Sequence, residues 1–335
     1  MKLKKLLILS GIVFVLLLVV YIKNVAHKVQ VAKSQREEQA IILIKDEPNI
    51  FSTKIVIYVG DNEKDKITLV KQNNGEWVVE NKFGVKARKD VVDGILNSLK
   101  GLKGEVRGDS KSVFSDFQIL DTQGAHLILK GAQDKTLTHL VISFKKPNFN
   151  QNFVRLSDGE NIVLTDRNIL SMLGLFDKRA KPNANYFSDY KVFSFDPNAV
   201  VRIELKPAKK RSLVLSKAGG SVNLWEFEPR SPRLKPDLSK IDEFLKNILG
   251  FQALDSLDPK LAKYGFDKPL MELKLSLLKD KKAEEIQVTI GSFIKDKNAY
   301  YARIMPKNQV LIIPDYLIKN INRDKSYFLK KKEKK

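Results

Sequence analysis

The chain has 335 residues, of which 60 are Lys or Arg and 39 are Asp or Glu, and its formal net charge is +21. Hydrophobic residues make up 43% of the chain, enough to build the cores of about two ordinary domains, which excludes collagen-like and wholly disordered proteins. The lack of cysteine excludes disulfide frameworks, thiolate zinc sites, iron–sulfur clusters and thiol catalysis.

The N-terminal segment predicts a membrane anchor. Residues 6–22 read LLILSGIVFVLLLVVYI, and three lysines precede them. A helix of that length is about 25 Å long, at the short end of what spans a bilayer. No good cleavage pair follows the apolar run, so an uncleaved signal anchor is favoured over a cleaved signal peptide. With residues 1–5 in the cytoplasm, the bulk of the chain is expected on the periplasmic side of a bacterial inner membrane.

An internal repeat follows the anchor. Trp77 and Trp225 lie 148 positions apart in strand-like runs, and the same shift overlays residues 153–156 on 301–304. Self-similarity at a fixed offset indicates a duplicated module. The predicted division is a membrane-proximal linker at 23–50, a first repeat at 51–175, a hinge at 176–194, a second repeat at 195–322 and a basic tail at 323–335.

Each repeat is predicted to contain strands, a helix and further strands. Short alternating or apolar runs predict strands at 55–59, 67–71 and 77–80, and apolar residues at helical spacing follow between Val92 and Leu102. In the second repeat a helix is expected between Asp237 and Gly250. The later strands are predicted at 125–130, 138–144, 152–156 and 161–165, then at 271–277, 285–290, 299–304 and 309–313, with closing helices at 167–174 and 314–321. Segregated strands and helices favour an α+β fold with mainly antiparallel sheets.

The order of several landmarks in the second half resembles a known bacterial family. Phe195-Asp196-Pro197 precedes a strand, Trp225 closes a hairpin, and Tyr264-Gly265-Phe266 and Tyr300–Arg303 follow. In this order they resemble the domain of unknown function 4340 family (DUF4340), with a weaker likeness in the first repeat. The resemblance implies a single-pass envelope protein, often encoded beside ABC-type transporter and gliding-motility-like components, with no established reaction.

The sequence carries no standard catalytic signature. It lacks the G-x-S-x-G, P-loop and dinucleotide-binding motifs. The three histidines, His27, His126 and His139, have no metal-ligand spacing, so a structural or surface role is favoured and no metal or cofactor is expected. Asp116 and Asp267, near comparable turns of the two repeats, are the carboxylates that a hydrolase would need, although capping of turns is the better interpretation.

Two pairs of equivalent residues have structural interpretations as well as functional ones. Trp77 and Trp225 could stack on a ligand, but core packing is favoured because large aromatic side chains dominate small cores. Arg155 and Arg303 lie on predicted strands between apolar neighbours, so we expect each to pair with an acid of its own repeat rather than with a ligand.

The positive charge is unevenly distributed. Eight of the 21 net charges lie in residues 1–50 and 326–335, and the first repeat is nearly balanced. Neither basic cluster of the second repeat has the aromatic interleaving or the module of a nucleic-acid interface, so nucleic acid is not an expected partner. Contact with a polyanion, an anionic lipid surface or an acidic protein is the alternative to a merely solvated surface. The clusters lie in predicted hairpin turns: Lys206, Lys209, Lys210 and Arg211, then Lys279, Lys281 and Lys282.

Three functions remain open. The leading hypothesis is a non-enzymatic, membrane-anchored accessory or scaffold protein of the envelope that makes protein contacts, plausibly with an ABC-type transporter or gliding-motility-like complex. The second is an envelope glycan or polyanion binding protein that uses a cleft between the repeats. The third is a hydrolase with convergent carboxylates.

Overall fold

The structure is a computed structural model. The predicted anchor at 6–22 lies largely outside the residues it describes, but residues 18–25 are helical, and the apolar side chains of Leu18 to Ile22 are exposed. In the described part of the chain, no helix combines the length and the apolar character needed to cross a membrane. The residues described are 18–25, 40–45, 47–177, 181–218, 224–231, 234–261, 263–279 and 282–330.

Beside the helical residues 18–25, the described chain contains eighteen strands and six α-helices. The strands are β1 (Ala40–Ile42), β2 (Lys54–Val59), β3 (Ile67–Lys71), β4 (Trp77–Val79), β5 (Val85–Lys86), β6 (Lys103–Gly108), β7 (Ala125–Lys130), β8 (Thr136–Ile142), β9 (Asn152–Leu156), β10 (Ile162–Thr165), β11 (Val200–Pro207), β12 (Leu213–Lys217), β13 (Trp225–Glu228), β14 (Asp255–Leu257), β15 (Met271–Lys279), β16 (Lys282–Ile294), β17 (Ala299–Met305) and β18 (Gln309–Pro314). The helices are α1 (Pro48–Phe51), α2 (Lys89–Leu99), α3 (Ile169–Met172), α4 (Ala184–Phe187), α5 (Leu238–Leu249) and α6 (Asp315–Ile321).

The chain divides into two compact units. Unit one comprises residues 1–68 and 90–182, and unit two comprises residues 69–89 and 183–335. The chain passes between the units three times, and the last passage, between Pro182 and Asn183, falls inside the segment 176–194 that the sequence predicts as a hinge. The first passage, between Thr68 and Leu69, falls inside β3, and no sequence pattern predicts it.

Residues 69–89 belong to unit two although they lie in the predicted first repeat, 51–175. Val85 is buried in the core of unit two. The Lys82 ammonium lies 2.7 Å from the Asp255 carboxylate, and Ser256 Oγ donates to the Lys82 carbonyl at 2.9 Å. These contacts explain the grouping, because they attach the segment to β14 and to the core of unit two.

Unit one is an antiparallel sheet with buried side chains on both faces. Its strands follow the order β1-β6-β10-β9-β8-β7-β2. Ile57, Leu127 and Leu140 pair directly across β2, β7 and β8, and all three are buried. On the other face, Val141 packs in a cluster with Phe114 and Ile119 from the segment between β6 and β7.

Unit two packs one long helix against an eight-stranded antiparallel sheet. The strand order is β13-β12-β11-β15-β16-β17-β18-β14. Helix α5 begins at the predicted residue, where Asp237 accepts a hydrogen bond from the Ser239 amide at 3.0 Å, and it ends at Gly250. It buries one face because its apolar residues recur three and four positions apart. The residues it contributes to the core are Ile241, Phe244, Leu245 and Ile248.

Six strands of each unit follow the same order. The order β2-β7-β8-β9-β10-β6 in unit one corresponds, strand for strand along the chain, to β11-β15-β16-β17-β18-β14 in unit two. Along the chain, α2 lies between β2 and β6 in unit one, and α5 lies between β11 and β14 in unit two. Both units are thus α+β with antiparallel sheets.

Phe244→Ala is expected to lower the free energy of unfolding of unit two by about 3–5 kcal/mol, because it leaves a cavity in a close-packed core. The Phe244 ring is fully buried and lies 5.2 Å from the ring of Phe328. Leu238→Ala is the matched control on the same helix, since Leu238 is 44% exposed. Urea denaturation of the two variants checks this, and equal losses would contradict the assigned helix face.

Candidate functional site

A pocket of about 490 Å³ opens at one end of the unit-one sheet. Its floor is formed by the sheet itself, and its rim is formed by the turn after β2 and by the loop before β7. The lining residues are Tyr58, Gly60, Asp61, Glu63, Lys64, Asp121, His126, His139 and Ser157. We call this the histidine pocket.

Two histidines on neighbouring strands form a hydrogen-bonded pair in this pocket. His126 on β7 lies opposite Val141 of β8, and His139 lies opposite Ile128. This register places both side chains on one face as diagonal neighbours, which long side chains can bridge. His126 Nδ1 lies 2.9 Å from His139 Nε2, and His126 Nε2 lies 2.8 Å from the carbonyl oxygen of Asp121.

The Asp121 carbonyl determines the protonation pattern of the pair. A carbonyl oxygen only accepts, so His126 Nε2 carries the proton and donates it to Asp121. In the neutral ring, His126 Nδ1 is then an acceptor, and His139 Nε2 donates to it. At neutral pH the pair is therefore an ordered chain of two N–H donors that ends on a backbone carbonyl.

The pair is partly removed from water by an aromatic neighbour. Tyr58 on β2 lies directly opposite His126, and their rings stack with centroids 4.3 Å apart and planes at 6°. Burial lowers the pKa of His126 and raises the pKa of the Tyr58 hydroxyl. The pKa of His139 is also lowered, first by burial and then by the neighbouring His126. Both histidines are therefore held neutral at neutral pH.

Arg155 on β9 holds the loop that positions the pair. Its side chain is buried, and Nη2 donates to Asp121 Oδ1 at 2.5 Å. The guanidinium also lies over the Phe114 ring at 4.6 Å. The prediction that Arg155 pairs with an acid of its own repeat is confirmed. Its remaining hydrogen bonds go to backbone carbonyls, those of Ile119 (3.0 Å), Leu156 (3.1 Å) and Ser157 (3.0 Å).

Unit two carries different side chains at the corresponding positions. In unit one the residues Tyr58, His126, Val141 and Arg155 align across four strands. The corresponding row of unit two holds a lysine, a glutamate, a threonine and an arginine instead, so the histidine pair is not repeated there. These residues are Lys206, Glu272, Thr289 and Arg303.

Among the described residues, Arg303 has no ion pair of the kind expected from its equivalence with Arg155. Its guanidinium lies over the Phe266 ring at 4.4 Å, and among the described residues its buried Nε has no hydrogen-bond partner.

The two tryptophans at equivalent positions of the repeats differ from each other in burial. Trp225 is buried in the core of unit two, as predicted, whereas Trp77 is only half-buried.

The two predicted basic clusters lie at opposite ends of the unit-two sheet. Lys209, Lys210 and Arg211 occupy the turn after β11 and are exposed, and Lys206 lies at the end of that strand. At this end Pro207 pairs with Met271, whereas Lys279 pairs with Lys282 at the far end of β15. Eight residues of strand separate the ends by about 26 Å. Lys281 lies outside the described residues. The structure therefore does not join the two clusters into one surface.

The predicted acids do not belong to the histidine pocket. Asp116 and Asp267 are both exposed, and neither lines it. His27 lies outside the described residues. Within the described ranges, no group of three or more His, Asp and Glu side chains is arranged to hold a metal ion.

The histidine pair is the feature that sequence reasoning missed. In the sequence, His126 and His139 are scattered residues without metal-ligand spacing, and nothing there pairs them. The available signal was their position on consecutive predicted strands, 125–130 and 138–144, since antiparallel pairing of these strands brings His126 and His139 close together as diagonal neighbours. The hydrogen bond to the Asp121 carbonyl depends on a loop conformation and has no sequence signal.

Comparison with known families agrees with the resemblance seen in the sequence. Residues 77–260, more than half of the chain, match the family described as "Domain of unknown function (DUF4340)". The chain belongs to the DUF4340 family. No curated protein and no solved structure matches the chain at a significant level. The family match spans both histidines and Arg155 of this DUF4340 protein, whereas Tyr58 lies before its start.

Arg155→Leu is expected to lower the free energy of unfolding of unit one by about 3 kcal/mol, because it leaves buried carbonyl oxygens without donors. Asp121→Asn is the matched control. It should lower the same free energy by less than about 1 kcal/mol, since the Asp121 side chain is 69% exposed and the pair is screened by water. Urea denaturation measures both values. A larger loss for the aspartate variant would show that the ion pair, rather than the carbonyl contacts, stabilises the loop.

Proposed function

We propose that this DUF4340 protein is a non-enzymatic accessory or scaffold protein of the bacterial envelope, built from two tandem α+β repeats behind an N-terminal membrane anchor. The observation that carries the proposal is the shared order of six strands in the two units, combined with different side chains in the corresponding row. A repeated framework that keeps its strand order but not its polar residues supports a scaffold better than a catalyst, because function lies in sites rather than in folds.

The proposed anchor is supported by the exposed apolar segment at the start of the described chain. Leu18 to Ile22 and Val25 are between 43% and 70% exposed on a helical segment that continues the apolar run begun at residue 6. Exposed apolar residues in a contiguous group indicate a surface that contacts another apolar phase or partner. Protein contacts with an ABC-type transporter or gliding-motility-like complex follow as the partner class proposed from the family resemblance.

Membrane fractionation tests the anchor. The full chain is expected to sediment with membranes and to need detergent for release, whereas the triple variant Leu18→Asp, Val19→Asp, Val20→Asp should lose membrane association, because charges in a spanning helix are costly. Phe149→Asp is the control, since Phe149 is 79% exposed elsewhere in unit one. Release of the unmodified chain by high salt alone would contradict the proposal.

Co-purification tests the partner. Gently solubilised membranes that contain the tagged full chain are expected to yield transporter components with it. Substitution of Lys209, Lys210 and Arg211 by glutamine should reduce this yield if their turn meets an acidic partner. The control is glutamine substitution of Lys295 and Lys297, which are exposed in the turn between β16 and β17 and belong to neither basic cluster. A stable monomer without partner in several detergents would contradict the accessory function.

A further inference from the structure

The histidine pair has one ring nitrogen that is free to accept a proton. His126 Nε2 donates to the Asp121 carbonyl, and His126 Nδ1 accepts from His139 Nε2. Among the described residues, His139 Nδ1 has no hydrogen-bond partner. A proton added at this nitrogen keeps both existing hydrogen bonds and makes the bond between the rings charge-assisted, which strengthens it.

A second proton meets a different situation. It would have to enter at His126 Nδ1, where the N–H of His139 already points across a distance of 2.9 Å. Two N–H donors facing each other cannot form a hydrogen bond, and two positive rings in contact repel each other. The pair therefore accepts one proton readily and opposes the second, which is the behaviour of a coupled titration.

Charged groups from four chain segments face the pair. Glu63 in the turn after β2 and Asp121 in the loop before β7 favour the protonated form of His126, whereas Arg155 on β9 opposes it. For His139, Asp121 and Asp158, which follows β9, favour protonation, and Arg155 and His126 oppose it. Tyr58 is uncharged at these pH values and covers one face of His126. Burial is the largest influence on both rings and lowers the pKa of each.

We propose that the His126–His139 pair is a single-proton site that makes the charge of the histidine pocket sensitive to mildly acidic pH. At neutral pH the charged lining residues are Asp61, Glu63, Lys64 and Asp121, so the lining is net negative in a chain of net charge +21. Uptake of one proton removes part of that negative charge. This inference concerns unit one alone and does not depend on the proposed membrane or scaffold function.

Histidine ring NMR signals of the full chain, followed as a function of pH, test the proposal. His126 and His139 are expected to titrate below pH 6.5, with the signals of both rings changing in the same first step. In His139→Gln the glutamine oxygen can accept from a protonated His126 Nδ1 and the neighbouring positive ring is absent, so His126 should titrate about one pH unit above the second step of the unsubstituted pair. Tyr58→Phe is the matched control, because it keeps the stacked ring and removes only the hydroxyl. It should leave the shared step in place.

Independent titration of the two histidines, with the midpoint of His126 unchanged by His139→Gln, would overturn the proposal. Thermal unfolding supplies a second readout that does not depend on one variant. Because the native pKa values lie below the unfolded value, protons bind the unfolded chain first as the pH falls. Stability of unit one should therefore decrease below about pH 6.5, towards the native pKa. His139→Gln should weaken this dependence, and an unchanged dependence would also overturn the proposal.

Discussion

The antiparallel register of β2, β7, β8 and β9 is the constraint on which the rest of unit one depends. It is held by Ile57, Leu127 and Leu140, which pair directly with one another and are all buried. The side-chain period of a strand is two, so a slip of one residue would turn this apolar row to the other face. The same register brings Tyr58 beside His126 on the opposite face. The histidine pocket is therefore a consequence of core burial, since one alignment satisfies both faces.

The polar network of unit one lies on the face of the sheet that the segment between β6 and β7 covers. The segment between β6 and β7 covers it with Phe114 and Ile119, which pack on Val141. That segment is irregular, so its carbonyl groups need donors that a strand cannot supply. Arg155 donates to one of them, the Ile119 carbonyl, and to the Asp121 carboxylate of the same segment. Its other two hydrogen bonds go to the carbonyls of Leu156 and Ser157 at the end of β9. Arg155 thus ties the loop to the end of β9, and the loop presents the Asp121 carbonyl to His126.

Much of the fold follows from local sequence patterns, but the grouping of elements does not. Helix α5 begins and ends where Asp237 and Gly250 indicate, because capping and helical periodicity are local properties. Residues 69–89 join unit two through Lys82, whose contacts with Asp255 and Ser256 span 173 and 174 positions, and through Val85, which is buried in the core of unit two. No local pattern encodes such pairings. The short strands β6 and β14 escaped prediction for the same reason, since they are specified by their neighbours in the sheet rather than by their own residues.

The proton arrangement of His126 depends at once on the strand register, on the loop held by Arg155 and on the pairing with His139. Nitrogen-15 NMR of the histidine rings at pH 7.5 reads it without any substitution. From the two hydrogen bonds of His126 we expect that it carries its proton on Nε2, that its Nδ1 is an unprotonated acceptor, and that His139 donates through Nε2. A proton on Nδ1 of His126, or rings that exchange freely between the two tautomers, would contradict it.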